Sequence, residues 1–527
     1  MASKNLISRG AGILLHPISL YGKFGIGDFG PSCFEFIDFL YDCKQKFWQV
    51  LPLNPISIGN SPYQTCSVFA GNTLLISPEI LLEKQYINSS DLDNLPDFSP
   101  RKIDYGKVYE FKSKLFSIAY DNFKRDAQMQ KKFLEFNKKN KDWLDDYALF
   151  FALKNYFMVQ RKDIKQPGTQ NIFCAQYKDI ENIYYYGAVW NTWPEELVNR
   201  DKKVLERYKQ DFEDEINYHK FLQFEFFEEW YAVKNYANKK NIEIIGDLPI
   251  FVAYDSVDVW ANKNLFKLDQ DNNYLPKFIA GVPPDYFAPE GQLWGNPLYD
   301  WKENKRQNYE WWLKRVKNTF QMVNILRIDH FRGFESYWQV KFGEKNAVNG
   351  QWIKGPGKDF FDCIKSKLGD LKIIAEDLGS VTNKVRKLRD DCGFPGMRVL
   401  QFAFDYDSKN EHLPHNFNIN TVAYTGTHDN DTSLGWYKNA PENAKDKFRR
   451  YMNVSGENPA WDLIRLLYSS VALCAIVPIQ DLMSLDSFDR MQIPGQTSNN
   501  WQFRFTRDML TTEIKNKIIY LCDLFNR

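Results

Sequence analysis

The residues best suited to chemistry lie in segment 324–333, which reads Asn-Ile-Leu-Arg-Ile-Asp-His-Phe-Arg-Gly. Its branched apolar residues predict a buried strand, and its charged residues gather towards the carboxyl end. Barrel enzymes hold their catalytic groups at such strand ends. Side chains alternate along a strand, so Arg327 and Asp329 are expected on one face. The guanidinium favours the ionised form of the Asp329 carboxyl, which makes Asp329 a candidate nucleophile.

Four other apolar runs also end in ionisable or polar groups. These groups are Asp247, Glu376 with Asp377, His428 with Asp429, and Gln480 with Asp481. One acidic strand end has an ordinary explanation as a helix N-cap or a loop ion pair. Several carboxylates in one cleft are harder to explain structurally, because like charges repel when they are buried together. Two close carboxylates are typical of glycoside cleavage with retention, where one is the nucleophile and the other the acid and base.

These groups require a scaffold that brings strand ends together. Strand-like runs centre near residues 13, 50, 245, 326, 374, 399, 423 and 476, and helical spacing of apolar residues separates most of them. Eight strands alternating with helices predict an α/β fold, a (β/α)8 TIM barrel. A doubly wound open sheet is the alternative, but no GxGxxG motif follows the first strand.

From about residue 81 to residue 241 the pattern changes, and charged and aromatic residues mix at helical spacing. We therefore predict a mostly helical insertion subdomain, residues 58–240, between strands two and three. Residues 1–57 and 241–527 are assigned to the catalytic barrel and its active-site loops, with residues 254–301 as a long loop region. The chain ends soon after the eighth unit, so no separate C-terminal β-domain is expected.

The amino-acid composition argues against several classes of function. The chain has 68 Lys and Arg against 67 Asp and Glu, and this balance gives no electrostatic footprint for nucleic acid or a membrane surface. Eight cysteines occur without a CxxC pair or a Cys/His metal spacing, which indicates a reduced protein without a metal site. No apolar run suits a signal peptide or a membrane span, so a cytoplasmic location is expected. Aromatic residues make up 16% of the chain, and those in Gly- and Pro-rich loops are candidates to stack on sugar rings.

Several blocks of the sequence carry a family resemblance, in family order from about residue 10 to about residue 505. They are RIDHFRG at 327–333, AEDLG at 375–379, THDNDT at 427–432, GDLPIFV at 246–252, VPPDYF at 282–287, GQLWGNP at 291–297, GILLHP at 12–17 and Asn500 with Trp501. These blocks resemble the signatures of the 4-α-glucanotransferases, also called amylomaltases or disproportionating enzymes. That family is glycoside hydrolase family 77 of the α-amylase clan.

The resemblance implies a role for each matched position. Asp329 stands at the nucleophile, Glu376 at the acid/base and Asp429 at the transition-state stabiliser. Residues implied to contact the sugar at the cleavage point are Arg327, His428 and Asp247, and those implied to line glucan subsites are Tyr63, Tyr286, Phe287, Trp294 and Asn500. The implied substrates are α-1,4-glucans and maltooligosaccharides with glucose as an acceptor, and no metal or other cofactor is implied. Ala288-Pro289-Glu290 departs from the Ser and Thr of the family, which leaves the acceptor preference open.

Two other functions remain as alternatives. An α-glucan hydrolase of amylase type shares the same acids and differs in what reaches the intermediate. A non-catalytic glucan-binding protein is the alternative from another class, but binding alone does not need three clustered acids.

Overall fold

The computed structural model describes residues 6–160, 189–284, 288–405, 407–496 and 499–527. Its centre is a sheet of eight parallel strands, ordered β11-β8-β3-β2-β1-β14-β13-β12. The strands are β1 (Gly10–Leu14), β2 (Phe47–Gln49), β3 (Glu243–Pro249), β8 (Ile325–Asp329), β11 (Ile373–Ala375), β12 (Gly396–Val399), β13 (Thr421–Tyr424) and β14 (Cys474–Pro478). A hydrogen bond of 2.9 Å from Ala375 N to Pro395 O joins the two ends of the sheet. The predicted barrel is thereby confirmed.

The barrel strands form where the sequence has short runs of small and branched apolar residues. Both β1 (GAGIL) and β14 (CAIVP) are buried along their whole length, as expected for strands covered on two faces. Gly12 permits the close pairing of β1 with β2, since a Cβ there would meet the Phe47 carbonyl oxygen at 2.6 Å. Close packing of this kind fixes the positions of the strand ends. It therefore also fixes the positions of the polar residues that follow the strands.

Helices cover the barrel between its strands. They are α1 (Pro31–Asp42), α9 (Val257–Ala261), α10 (Trp301–Arg306), α11 (Glu310–Met322), α12 (Lys358–Leu368), α13 (Asn383–Cys392), α14 (Ser433–Asn439), α15 (Glu442–Met452), α16 (Pro459–Ser469), α17 (Ile479–Leu482) and α18 (Thr512–Phe525). Within the ranges given above, no helix has the length and apolarity needed to cross a membrane.

A set of helices also lies between β2 and β3, as predicted. They are α2 (Pro78–Glu83), α3 (Tyr105–Phe123), α4 (Ala127–Lys139), α5 (Lys141–Gln160), α6 (Glu195–Val198), α7 (Lys202–Asp211) and α8 (Glu213–Lys239). Helix α8 joins this insertion to the barrel, because the buried Trp230 indole donates a hydrogen bond of 3.0 Å to Met322 O. Insertion and barrel contribute to one hydrophobic core. The boundaries 58–240 of a separate subdomain stay a prediction.

The expectation of a long loop over residues 254–301 is wrong, because part of this region belongs to an antiparallel sheet. Its strands, in the order β10-β9-β6-β7, are β6 (Phe278–Val282), β7 (Gln292–Pro297), β9 (Ser336–Lys341) and β10 (Gly350–Lys354). A small strand pair, β4 (Leu268–Asp269) and β5 (Leu275–Pro276), lies in the same region. Gly281 allows the tight pairing of β6 with β7, since a Cβ there would meet Gln292 O at 2.3 Å. This sheet stands beside the carboxyl ends of the barrel strands.

Candidate active site

Three acids meet where three barrel strands end. Asp329 is the last residue of β8, Glu376 follows β11 directly, and Asp429 lies in the loop after β13. Strands β8 and β11 are parallel neighbours, and a hydrogen bond of 3.1 Å from Glu376 N to Ile328 O continues their pairing. Glu376 therefore emerges beside Asp329 at the carboxyl end of the barrel.

Arg327 connects the nucleophile candidate to a second carboxylate. Its Nη1 donates to Asp329 Oδ1 at 3.0 Å and to Asp247 Oδ2 at 2.6 Å, and its side chain is only 3% exposed. The Tyr63 hydroxyl donates to the same Asp247 oxygen at 2.7 Å. The other oxygen, Asp247 Oδ1, is buried and has no hydrogen-bond partner within the described part of the chain. An acceptor left open in this way is suited to a sugar hydroxyl.

Glu376 is held by backbone donors. His330 N donates to Oε2 and Leu378 N donates to Oε1, each at 2.8 Å. His330 has a left-handed φ of 50°, and this conformation ends β8 directly after Asp329. Removal from water raises the pKa of Glu376 to about 7, although Arg327 and the two N–H groups act in the opposite direction. A carboxyl with this pKa can both give and take a proton near neutral pH.

The pKa of Asp329 depends on burial and on neighbouring carboxylates as well as on Arg327. Burial raises the pKa of Asp329 above its ordinary range, and the negative charges of Asp247, Glu376 and Asp429 add to this effect. Arg327 lowers the same pKa. The expectation that Arg327 favours the ionised form of Asp329 stays a prediction: Arg327 acts in that direction but is shared with Asp247, while burial acts against it. Repulsion between Asp329 and Glu376 means that a proton on one favours the charged form of the other.

Hydrogen bonds hold Asp429 through both its side chain and its main chain. The Gln492 side-chain Nε2 donates to its Oδ1, and Arg490 Nη2 donates to its carbonyl oxygen at 3.0 Å. Asp429 N donates to Thr427 Oγ1 at 3.2 Å. Gln492 and Arg490 lie about sixty residues further along the chain and belong to none of the motifs predicted from the sequence. Their proximity to Asn500 in a matched block was the one available signal.

Aromatic rings form two walls of the site. The Tyr63 ring stacks on His428 with centroids 5.1 Å apart at an angle of 11°, and Trp501 lies 5.8 Å from Tyr63. On the other side the half-buried Trp294 meets His330 edge-on at 4.8 Å. Burial lowers the pKa of both histidines, that of His330 to about 3, so these rings are neutral. The two histidine rings therefore provide flat surfaces and individual polar atoms for a ligand, and they add no positive charge to the site.

The other residues predicted to line glucan subsites are Asn500, Tyr286 and Phe287. Asn500 uses its amide within its own loop, where Oδ1 accepts from Ile493 N and Nδ2 donates to Gln496 O, each at 2.9 Å. A direct contact between Asn500 and a glucan stays a prediction. Tyr286 and Phe287 lie outside the described residues. Among the described residues, no three or more His, Cys, Asp or Glu side chains are grouped so as to hold a metal ion.

Comparison with known proteins places this arrangement in a family. A family model described as 4-alpha-glucanotransferase matches residues 15–511. The chain belongs to this family. It is 44% identical to the 4-alpha-glucanotransferase of Synechocystis sp., over 99% of both chains. It is also 44% identical to that of Clostridium butyricum, over 97% of this chain and 100% of the relative.

Solved structures agree with the assignment to the 4-alpha-glucanotransferase family. The amylomaltase from Streptococcus agalactiae, solved in complex with acarbose, matches with a TM-score of 0.90 and 36% identity. That match covers 98% of this chain and 99% of the other. The amylomaltase from Corynebacterium glutamicum shares the fold at a TM-score of 0.75 and 14% identity, over 97% of this chain and 75% of that one. The family resemblance predicted from the sequence is confirmed.

Two further acids of this 4-alpha-glucanotransferase family member lie beside the site but are bound by structural partners. Arg389 donates to Asp377 Oδ2, and Met397 N donates to Asp377 Oδ1 at 2.7 Å. Asp481 accepts hydrogen bonds from the Thr425 hydroxyl and from the Ser433 N–H and hydroxyl. Side chains alternate along a strand, so Asp377 is out of phase with Glu376, and its contacts with Arg389 and Met397 give it a structural role.

Proposed function

We propose that this 4-α-glucanotransferase moves α-1,4-glucan segments from a donor chain to an acceptor maltooligosaccharide or glucose, with retention at the anomeric carbon. The observation that carries the proposal is the Asp329–Glu376 pair at one mouth of the barrel. Asp329 contacts Arg327 at 3.0 Å, whereas Glu376 accepts backbone N–H groups and has a pKa raised to about 7. The two carboxyls therefore differ in environment, as an acid and a nucleophile must.

In the first step the donor glycosidic bond breaks. Arg327, which contacts Asp329 directly, stabilises the form of the pair in which Asp329 is negatively charged and Glu376 holds the proton, and the reaction starts from this form. An Asp329 oxygen forms a bond to the anomeric carbon, and the bond to the leaving oxygen breaks. The Glu376 proton passes to that oxygen, which departs as a free 4-hydroxyl. Asp329 is then neutral as an ester, and Glu376 carries the negative charge.

In the second step Glu376 acts as the base. It takes the proton from an acceptor hydroxyl while that oxygen bonds to the anomeric carbon and the ester bond to Asp329 breaks. Asp429, fixed by Gln492 and Arg490, supplies a negative charge beside the sugar in both steps, in addition to whichever of Asp329 and Glu376 is charged. Such a charge stabilises the positive character that the sugar ring develops in an oxocarbenium-like transition state.

Transfer and hydrolysis share this glycosyl-enzyme, so the outcome depends on which hydroxyl reaches it. An acceptor sugar competes with water only if binding gives it a high effective concentration. The half-buried Trp294, seated against His330, provides an apolar surface for an acceptor ring at the mouth. We propose that this surface, together with the adjoining loop, favours a sugar over water.

Product analysis with maltotriose tests the proposal. A ladder of longer oligosaccharides accompanied by glucose is the expected result. Glucose and maltose without longer products would establish hydrolysis, and unchanged maltotriose with measurable binding would establish a binding protein. A Glu376→Gln variant prepared in the same way controls for contaminating activity.

A further inference from the structure

The antiparallel sheet extends from the catalytic mouth to an outer edge. Strand β7 carries Trp294, whose ring touches His330, and β10 is the opposite edge strand in the order β10-β9-β6-β7. Three inter-strand steps of about 4.8 Å each place β10 about 14 Å from β7. The sheet therefore runs from Trp294, which lies beside the acids, to an edge strand on the far side of the sheet.

Two tryptophans face each other at this outer edge. Trp352 of β10 is in register with Trp338 of β9, and their ring centroids are 5.1 Å apart at 65°. Trp338 is anchored by a hydrogen bond of 2.9 Å from its indole N–H to Ala347 O. Trp352, by contrast, is 40% exposed. An exposed tryptophan against an anchored one is a rigid apolar surface open to solvent.

The exposed rings of this protein are unevenly distributed. Within the described ranges, the exposed Phe and Trp side chains are Trp352, Phe402 and Phe488. All three lie in segments that follow barrel strands, on the carboxyl-end side where the acids are. Exposed aromatic residues elsewhere are tyrosines, whose hydroxyls suit ordinary solvent contact. This distribution favours a ligand-binding role for the apolar rings at the mouth.

Arg332 connects the outer edge to the catalytic loops. It lies three residues after Asp329, and its Nη1 donates to Ser380 O in the loop after Glu376. Its guanidinium carbon stands 3.7 Å from the centre of the Trp352 ring. Arg332 is buried, and its Nε has no hydrogen-bond partner in the part of the chain that the structure describes. The arginine holds the tryptophan in place, so little side-chain entropy is lost when a ligand binds there.

The backbone of β10 adds polar groups next to the ring. Among the described residues this strand pairs with β9 on one side only, so the N–H and C=O groups of its other edge are available to a ligand. A glucose unit presents apolar C–H faces and a rim of hydroxyls. The combination of an exposed indole and free backbone groups matches that chemistry.

We propose that Trp352, held by Arg332 at the edge of β10, is an outer subsite for a remote glucose unit of a long α-1,4-glucan. The proposal rests on the proposed function and names a chain-length preference within it. Short donors bind at the acids alone, whereas longer chains gain a second contact at Trp352.

The test compares donors of different length in a Trp352→Ala variant. We expect kcat/KM for maltoheptaose to fall by about threefold to tenfold, the range expected for loss of one aromatic contact, and kcat/KM for maltotriose to stay unchanged. Trp352→Phe should recover part of the loss. Tyr520→Ala, which removes an exposed ring from α18 far from the mouth, is the matched control and should leave both donors unaffected.

A binding measurement separates this proposal from the reaction itself. In a Glu376→Gln background, calorimetry should show weaker maltoheptaose binding when Trp352 is also replaced by Ala. Equal binding, or equal loss of kcat/KM for both donors, would overturn the subsite; the second result would show that Trp352 acts on the acids through Arg332. Absence of transfer by the parent protein would refute the proposed function, while the binding comparison would still test the subsite.

Discussion

Glu376 and Asp377 are neighbours at the end of the same barrel strand, yet their surroundings differ completely. Asp377 is buried between two arginines, with Arg389 in direct contact and Arg398 Nη1 at 3.6 Å. Glu376 receives two backbone N–H groups, and the nearby Arg327 directs its hydrogen bonds to Asp247 and Asp329 instead. Paired charge at Asp377 stabilises the fold, whereas the incompletely compensated charge at Glu376 is available for reaction.

The same contrast separates Asp429 from Asp481, which both follow strands of the same barrel. Asp481 is buried and accepts three hydrogen bonds from Thr425 and Ser433. Asp429 has a side chain 45% exposed to the cleft. Carboxylates that the fold satisfies are structural, and those it leaves accessible are candidates for catalysis. The predictions below test this rule.

The largest expected effect is on turnover by Glu376→Gln. The amide cannot give a proton to the leaving oxygen, so maltotriose disproportionation should fall by about 10²–10⁴-fold, the usual contribution of a general acid. A glycosyl fluoride donor, which needs no protonation, should still form the glycosyl-enzyme, visible by mass spectrometry of the intact protein. Parental rates with maltotriose would show that another group is the acid.

Asp377→Asn should affect folding more than chemistry. The change leaves Arg389 facing an amide and removes the charge that balances two partly buried guanidinium groups. We expect a loss of about 3 kcal/mol in the free energy of unfolding, at the lower end for a broken buried pair because both arginines keep other carboxylate partners. Urea unfolding measures this loss, and kcat/KM per folded molecule should stay within about threefold of the parent value. A stable variant without activity would place Asp377 in the catalytic machinery.

Glu376→Gln should also stabilise the protein at alkaline pH. The folded-state pKa of about 7 lies above the unfolded value of about 4.3, so the folded chain binds the extra proton between these values. The free energy of unfolding of the parent therefore decreases as pH rises through this window. At pH 8 the variant should be more stable by about 1–3 kcal/mol, and the difference should disappear below pH 4. An equal difference at both pH values would indicate a packing effect instead of a charge effect.

The pH dependence of the reaction should report the same group. Transfer from maltotriose needs protonated Glu376, so kcat/KM should fall about tenfold for each pH unit above about 7. With a glycosyl fluoride, formation of the glycosyl-enzyme should lose this dependence. Rates measured from pH 5 to 9 with both donors test the assignment, and identical profiles would contradict it.

The smallest expected effect is on partition between transfer and hydrolysis. Trp294→Ala removes the acceptor surface but leaves the acids, so the ratio of transfer to free reducing sugar should drop by about threefold to tenfold. Trp461→Ala, a half-buried tryptophan on α16, is the control and should not change the ratio. Equal losses of both activities would assign Trp294 to the donor or to the fold.

Much of the scaffold could be predicted because local patterns determine it. The eight strands are short apolar runs, and the acids that follow them reach one mouth by barrel closure. The sheet that carries Trp294 was missed because β6 and β7 contain Gly or Pro, which weaken a strand pattern, and because β6 pairs with β9, about 60 residues further along the chain. Strand alternation would place His330 on the face opposite Asp329, but alternation stops applying where the backbone becomes left-handed at that residue. The supports of Asp429 and the raised pKa of Asp329 depend on tertiary contacts and burial, which sequence patterns do not specify.

The hydrogen bond from His330 N to Glu376 gives the active site an internal spacer. His330 follows Asp329 directly, so one rigid planar peptide unit separates the Cα of the proposed nucleophile from the N–H group that holds the proposed acid. The position of the Glu376 carboxyl relative to the Asp329 backbone therefore depends on covalent geometry and one hydrogen bond, and the gap between the two carboxyls depends further on the torsion angles of the Asp329 side chain. Retaining glycosidases need this gap to be about 5–5.5 Å, and a spacer within the main chain preserves it when side chains elsewhere in the barrel are exchanged.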